Sequence, residues 1–318
     1  MPLDHYVPQV HLRNFYSGGL DFKKMFGIRK RDCAIFPCSS KDVCRIENGS
    51  TNPYLYPSRQ IEDFLETVEP GYNAAVASLI KGNFGPHDLY CIAGFAAYVS
   101  ACSPTALRLG IEPHRCAVEA AAKIIDGMGE IPELPVELGG KSLSELIDDG
   151  SVNAKVDPKY PQAIGINQIV LKLSLWANSN WDFIFNKIED SPFFTSDFPC
   201  AVEQSHDLRI LNRLVPLTPY FAVRICPNFD AKSSLGDLSF PRFRYRKLTP
   251  NRSEIGKINR SIVRCAEELV FSCGNAKWTG PFVRRNSDYW VEAVHDEIPF
   301  SDAATMHINR MRVTKRER

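Results

Sequence analysis

The uncharged run LYCIAGFAAYVSACSPTAL, residues 89–107, constrains the fold more than any other part of the sequence. It carries no Asp, Glu, Lys or Arg over about the length of a bilayer crossing. Such a run either spans a membrane or fills the centre of a globular domain. Ser100, Ser103 and Pro104 interrupt one end and leucine and isoleucine are few, which favours a buried central helix.

The start of the chain and its composition agree with a globular protein. MPLDHYVP has neither a basic region nor an apolar core of the kind that a secretory signal needs. Hydrophobic residues make up 44% of the chain and charged residues 24%, which is ordinary for a globular domain. We therefore expect a cytoplasmic protein with no membrane partner.

The chain divides by pattern into four segments, which we predict to form a single domain over residues 1–318. They are a β-containing N-terminal segment (1–56), a mainly helical segment (57–190), a β-rich segment with one helix (191–300) and a basic tail (301–318). The predicted class is α+β, with a helical middle layer packed on a mixed or antiparallel sheet built from N-terminal and C-terminal strands. The tail RMRVTKRER is predicted to be solvated and frayed, with phosphate contact as the alternative.

Two helices have clear end signals. SRQIEDFLETVEPGYNAAVASLIKG predicts a helix with Ser58 as its N-cap and Gly82 just past its end. Pro70 should bend or divide it. TPNRSEIGKINRSIVRCAEEL predicts a second helix, with Thr249 as the cap and Pro250 at the first helical position.

Charge and cysteine content exclude two classes of protein. With 38 basic and 37 acidic residues the net charge is +1, so a polyanion would have to bind at a local patch. The ten cysteines include no CxxC pair, which argues against a structural zinc site. Reduced, mostly buried thiols are the expectation.

The opening HYVPQVHLRNF predicts a short helix that starts at Pro8. Pro8, Leu12 and Phe15 form its apolar stripe. The polar residues along its edge are His5, Gln9 and Arg13. Such an edge suits an anion, because a guanidinium and a helix N-terminus both favour negative charge. Alternatively the helix is only an anchoring plug and the polar residues cap it.

Acidic residues supply the other candidates. Glu62, Glu66 and Glu69 stack on one face of the 58–81 helix, and Glu69 borders its apolar stripe. A partly buried Glu69 is either paired with a cation such as Arg13, or it serves as a base or metal ligand. Asp197 ends the strand in FFTSDFPCAV, where an Asx turn and a catalytic carboxylate are both common.

Taken together, these segments resemble a known family. HYVPQ followed by LxxF, the glutamate helix, SPTALRL, FFTSDFPCAV, PLTP and the Asn-containing helix that ends in AEELVFS are similar to the bacterial domain of unknown function 4238. Its members begin HYVPQ-x-x-L-x-x-F and carry TSDNPV downstream, where this chain has Phe198 in place of Asn. The resemblance runs from His5 to about Ser272 and supplies no activity. It implies that these residues occupy motif positions: His5, Gln9, Glu69, Asp197 and Asn259.

Our functional hypothesis is a metal-assisted phosphodiesterase that acts on RNA or DNA, as a bacterial defence or toxin effector. Glu69 and Asp197 would hold a divalent cation, Mg²⁺ or Mn²⁺, that activates water. His5 would be the general acid or base. The substrate-binding residues would be Gln9, Arg13 and Asn259, with Arg13 on the phosphate.

The alternative is a non-catalytic sensor or adaptor in which the same residues form a structural polar network. The two hypotheses differ in where the polar groups point. A network predicts buried groups with satisfied partners, whereas an enzyme predicts an open cleft with a perturbed carboxylate.

Overall fold

The computed structural model describes residues 3–18, 23–136, 139–207, 210–228, 237–301 and 304–316, and it has the predicted α+β class. The helices are α1 (Gln9–Leu12), α2 (Gln60–Lys81), α3 (Pro86–Cys102), α4 (Pro104–Gly127), α5 (Leu143–Asp148), α6 (Lys159–Asn167), α7 (Ile169–Ala177), α8 (Arg252–Cys265) and α9 (Thr279–Arg284). The strands are β1 (Leu3–His5), β2 (Met25–Arg29), β3 (Ile35–Cys38), β4 (Arg45–Glu47), β5 (Asn180–Phe185), β6 (Thr195–Ser196), β7 (Ala201–Gln204), β8 (Leu211–Thr218), β9 (Phe221–Cys226), β10 (Arg244–Leu248), β11 (Leu269–Ser272), β12 (Tyr289–Ser301) and β13 (Ala304–Lys315).

The uncharged run forms the buried central helix α3, as predicted. Helices α2 and α7 pack on it, and the fit is close at Gly94, where an added Cβ would lie 2.9 Å from Cγ2 of Val68. Ser103 ends α3 and caps α4 by accepting a hydrogen bond from the Ala106 N–H. In the part of the chain that the structure describes, no single helix is long and apolar enough to cross a membrane. Helices α3 and α4 pass that test only when they are taken as one segment, and the chain bends by 59° between them.

Of the two effects predicted for Pro70, division of the helix does not occur, because α2 runs unbroken through it. Pro70 is exposed, and the carbonyl left without its helical partner can be hydrated there. The helix begins after Arg59 rather than Ser58, with no side-chain cap. Its end at Gly82 is confirmed, with a left-handed φ of 81° that glycine adopts without strain.

The strands form two larger sheets. A four-stranded antiparallel sheet in the order β3-β2-β11-β6 joins N-terminal and C-terminal strands, as predicted. A five-stranded sheet in the order β10-β5-β9-β8-β7 comes from the second half of the chain and is antiparallel except for the β10–β5 pair. Strands β1 and β4 form a small antiparallel pair beside the N-terminus.

The segment predicted to be mainly helical also contains strand β5, near its end. Two local predictions are wrong. The described part of the tail is not frayed, because β13 pairs along its length, up to Lys315, with β12 in an antiparallel hairpin. Helix α8 is capped by Asn251 instead of Thr249, since the Asn251 side chain can form a reciprocal capping box with Glu254.

Candidate functional site

The opening segment docks as the predicted plug. Helix α1 follows Pro8 directly and continues into a 3-10 turn, Arg13–Phe15. Leu12 and Phe15 are fully buried and Pro8 is buried beside them. Burial of this apolar stripe stabilises a helix that is too short to persist by itself.

His11 is a central residue of this segment that our sequence reasoning missed. Its ring is fully buried, with Nδ1 2.8 Å from the Tyr72 hydroxyl and Nε2 2.8 Å from Oγ1 of Thr195. The ring stacks on Phe95 at a centroid distance of 4.6 Å. Burial lowers the pKa of His11 to about 3, so the ring is neutral in the folded protein. The signal was present in the sequence, because His11 precedes Phe15 by one helical turn and so belongs to the buried face.

Four of the predicted site residues line one cavity of about 330 Å³, which we call the N-terminal cleft. They are His5, Gln9, Arg13 and Glu69. Strand β1 supplies His5, the first helical turns supply Gln9 and Arg13, and α2 supplies Glu69. Asp4 and Glu62 also line the cleft, and both bind Arg59 at its edge, at 3.0 and 3.2 Å.

Within the cleft His5 has an unused ring nitrogen. Its backbone is held by the Tyr98 hydroxyl, which donates to the His5 carbonyl at 2.8 Å. Its Nε2 is buried and has no hydrogen-bond partner within the described chain. Burial lowers the pKa of His5, although hydrogen bonding with the backbone of Ser40 and Lys41 opposes the shift. The ring is therefore neutral near pH 7, and one of its nitrogens is buried without a partner.

Glu69 is the perturbed carboxylate of the cleft. It is half-buried, as its position on the helical wheel predicts, whereas Glu66 is exposed. Burial and the negative charge of Glu62 raise the pKa of Glu69, and the charge of Arg13 opposes them. Arg13 nevertheless donates to Oε1 of Gln9, at 3.2 Å, rather than to Glu69. Among the described residues Glu69 has no hydrogen-bond partner.

A second cavity, of about 630 Å³, shares Arg13 with the N-terminal cleft. We call it the basic cavity, because four of its lining side chains are cations and none is an acid. The cations are Arg13, Lys23, Lys24 and Lys41. Ser40 connects it to the cleft, since its hydroxyl donates to Gln9 at 3.2 Å and accepts from Tyr16 at 2.8 Å. Asp42 follows Lys41 directly in the sequence, but its carboxylate already accepts hydrogen bonds from the backbone N–H and the hydroxyl of Ser39.

Asp197 lies outside the cleft, in a closed network. Its two oxygens accept three backbone N–H groups, from Glu267 at 2.8 Å, Glu268 at 2.7 Å and Leu269 at 2.8 Å. Burial raises the pKa of Asp197 to about 6, against these hydrogen bonds and the charge of Lys30. The carboxylate thereby fixes the start of β11 next to β6.

The same network continues through Glu267. Its carboxylate accepts two hydrogen bonds from Arg108, at 2.9 and 2.8 Å, and one from the Thr105 hydroxyl at 3.0 Å. These contacts use the SPTALRL and AEELVFS segments that carry the family resemblance. Both segments therefore serve to lock α4 to the sheet.

Asn259 is also a structural clamp. Its Oδ1 accepts from the Phe194 N–H at 2.9 Å, and its Nδ2 donates to the Pro192 carbonyl at 2.9 Å. Asn259 is buried, so it joins α8 to the chain before β6 and does not line the cleft. Phe198 is likewise buried. Over the described ranges, no group of three or more His, Cys, Asp or Glu side chains is placed to hold a metal ion.

Comparison with known proteins agrees with the resemblance seen in the sequence. No curated protein and no solved structure matches the chain. The family model described as "Protein of unknown function (DUF4238)" matches residues 4–275, which span the N-terminal cleft, both larger sheets and the closed network around Asp197. This chain therefore belongs to the DUF4238 family.

Proposed function

We propose that the N-terminal cleft is a hydrolytic site that cleaves a phosphodiester bond of RNA or DNA. The observation that carries the proposal is the junction of two cavities at Arg13, one with a perturbed carboxylate and the other lined by four cations. Phosphate groups bind to such cation clusters. The chemistry would take place at the cleft while the chain of the substrate continues into the basic cavity.

The groups in the cleft suit proton transfer. A neutral His5 with an unpartnered Nε2 would accept a proton from an attacking water or hydroxyl once the cleft opens far enough to expose that nitrogen. Glu69 has a raised pKa, so its protonated form persists to a higher pH and can supply a proton to the leaving oxygen. Arg13 stands between the two cavities, where it would stabilise the charge that develops on the phosphate. Gln9 orients Arg13 through their hydrogen bond.

The cleft would still bind a divalent cation, Mg²⁺ or Mn²⁺, as the sequence-based hypothesis has it, but with different ligands. Asp197 has both oxygens occupied by backbone N–H groups, so it is a poor partner for Glu69 in holding a metal. Glu62 and Glu69 line the same cleft and lie close enough for the charge of one to raise the pKa of the other. A cation bound there would keep both carboxylates ionised and would polarise a phosphate oxygen, so it would take the place of Glu69 as the group that assists the leaving oxygen.

Cleavage of total RNA, plasmid and single-stranded DNA by the purified protein, with and without Mg²⁺ or Mn²⁺, tests this function. We expect Glu69→Gln to reduce the rate by about 10²- to 10⁴-fold, the usual range for a general acid or base. Glu66→Gln, one turn away on the exposed side of α2, is the matched control and should retain the full rate. Arg13→Met should weaken substrate binding and reduce its salt dependence.

If the folded protein cleaves none of these substrates, or if Glu69→Gln and Glu66→Gln cleave equally well, the cleft is not a nuclease site. The alternative of a non-catalytic binding module would then be favoured, because Asp197 and Asn259 already have the buried, satisfied partners that it requires.

A further inference from the structure

A third cavity, of about 240 Å³, lies between the helices and the five-stranded sheet. Helices α3, α4, α6 and α7 line one side of it, and Arg213 of β8 lines the other. We call it the interlayer cavity. Much of its wall is apolar, from Leu109, Pro113, Pro161, Ile164, Trp176 and Phe198. Exposed Gln168 marks its opening to solvent.

Two cations face this cavity without a counter-ion. Lys172 of α7 and Arg213 of β8 both line it, and neither forms an ion pair with any residue that the structure describes. The described contacts of Arg213 are a hydrogen bond to Sδ of Met311 at 3.7 Å and the ring of Trp176, 5.6 Å away. The side-chain ammonium of Lys172 has no hydrogen-bond acceptor in the same ranges.

The surroundings disfavour both charges. Burial lowers the pKa of Arg213 and of Lys172, and the charge of Arg213 lowers that of Lys172 further. The groups that favour the charges are the thiols of Cys102, Cys200 and Cys265. Because burial raises the pKa of each of these thiols, they are neutral near pH 7 and compensate neither cation.

Lys172 and Arg213 are both half-buried, so each cation loses part of its hydration at a free-energy cost, and two cations that share a cavity also repel each other. An anion whose oxygens reach both side chains would remove that cost. A guanidinium fork and an ammonium group match the two oxygens of a carboxylate, with the arginine as the bidentate partner. The other polar residues of the lining are Ser100, His114 and Gln168, and none of them is a lysine or an arginine that would match a second anionic group.

We propose that the interlayer cavity binds a small organic carboxylate with an apolar chain, with its headgroup between Lys172 and Arg213. The volume is below the range of about 300–1,000 Å³ for typical ligand pockets, so the chain of the ligand is short. This site is separate from the N-terminal cleft, since the two share no lining residue.

Binding of octanoate to the full chain, followed by calorimetry and by thermal denaturation, tests the site. Octanoate should bind and raise Tm, whereas octanol, which lacks the charge, and inorganic phosphate, which lacks the chain, should each bind at least 10-fold more weakly. Octanol binding as tightly as octanoate would overturn the role of the cations. Equal binding of inorganic phosphate would overturn the role of the apolar wall.

Two variants separate a ligand site from a structural pair of cations. Lys172→Met and Arg213→Met should each weaken octanoate binding at least 10-fold, and Lys155→Met, at an exposed lysine, should not. Without ligand, Lys172→Met should keep or raise Tm, because it removes a repelled, partly buried charge. A lower Tm for Lys172→Met together with unchanged octanoate binding would overturn the proposal. Lys172→Met also serves if loss of the Trp176 contact unfolds Arg213→Met.

Discussion

Acidification should destabilise the fold through His11. The folded protein holds this ring neutral, with a pKa of about 3, because it is fully buried. In the unfolded chain histidine has a pKa of about 6.5. Between these values the unfolded state binds one proton more than the folded state, so the free energy of unfolding falls as the pH falls. Between pH 7 and pH 5 the free energy of unfolding falls by about 2 kcal/mol through His11. The value is the same for any pKa of the folded state that lies well below 5.

The comparison of wild type with His11→Phe isolates this contribution. Phenylalanine keeps a ring against Phe95 but cannot titrate, and it leaves the hydroxyls of Tyr72 and Thr195 without their partner. We expect the variant to be less stable at pH 7 by roughly 2–4 kcal/mol. Its further loss between pH 7 and pH 5 should be smaller than that of the wild type by about 2 kcal/mol.

Urea denaturation followed by circular dichroism at both pH values measures the difference. Asp197 acts in the opposite direction, because its pKa is raised to about 6 and acid therefore favours the folded state, but it does so in both proteins. The reasoning is refuted if wild type and His11→Phe lose the same free energy on acidification, since His11 would then titrate alike in both states.

Three further substitutions test the closed network around Asp197 and the packing of two helices. Asp197→Ala leaves three backbone N–H groups without an acceptor and should lower the free energy of unfolding by roughly 3–6 kcal/mol; a loss below about 1 kcal/mol in urea denaturation would show that water replaces the carboxylate. Gly94→Ala places a Cβ 2.9 Å from Val68 and should cost about 1–3 kcal/mol by thermal denaturation. Gly256→Ala, in α8 with open space around the new Cβ, should instead stabilise by about 1 kcal/mol; equal effects at both glycines would contradict the argument from packing.

Local signals in the sequence were sufficient for some elements and not for others. The uncharged run identified α3, since its interrupted end favoured burial over a membrane span, and helical periodicity placed Glu69 at the edge of the core. Strand β5 was missed because its pairing partners β9 and β10 lie later in the chain, and β13 was missed although its partner β12 directly precedes it. The basic sequence of β13 in particular is typical of a solvated tail, and its pairing with β12 makes it a strand.

Long-range contacts also decided which motif residues form the cleft. A carboxylate at the end of a strand is compatible with an Asx turn and with catalysis. In this structure the chain around Glu267, 70 residues away, supplies the donors that surround Asp197, and Asp197 does not line the cleft. His5 and Glu69 instead reach the cleft because β1 and α2 flank the same short helix.

The first helix connects the closed network to the cleft, and this connection explains why both belong to one set of motifs. Helix α1 has four residues and is held by tertiary contacts, above all those of His11 with Tyr72 and Thr195. Tyr72 lies one turn after Glu69 on α2, and Thr195 belongs to the strand that precedes Asp197. The contacts of His11 thus fix Gln9 and Arg13 relative to Glu69. Residues that do not line the cleft therefore determine its geometry. For this reason, loss of activity in an Asp197 variant indicates a catalytic role for Asp197 only if the variant is as stable as the wild type.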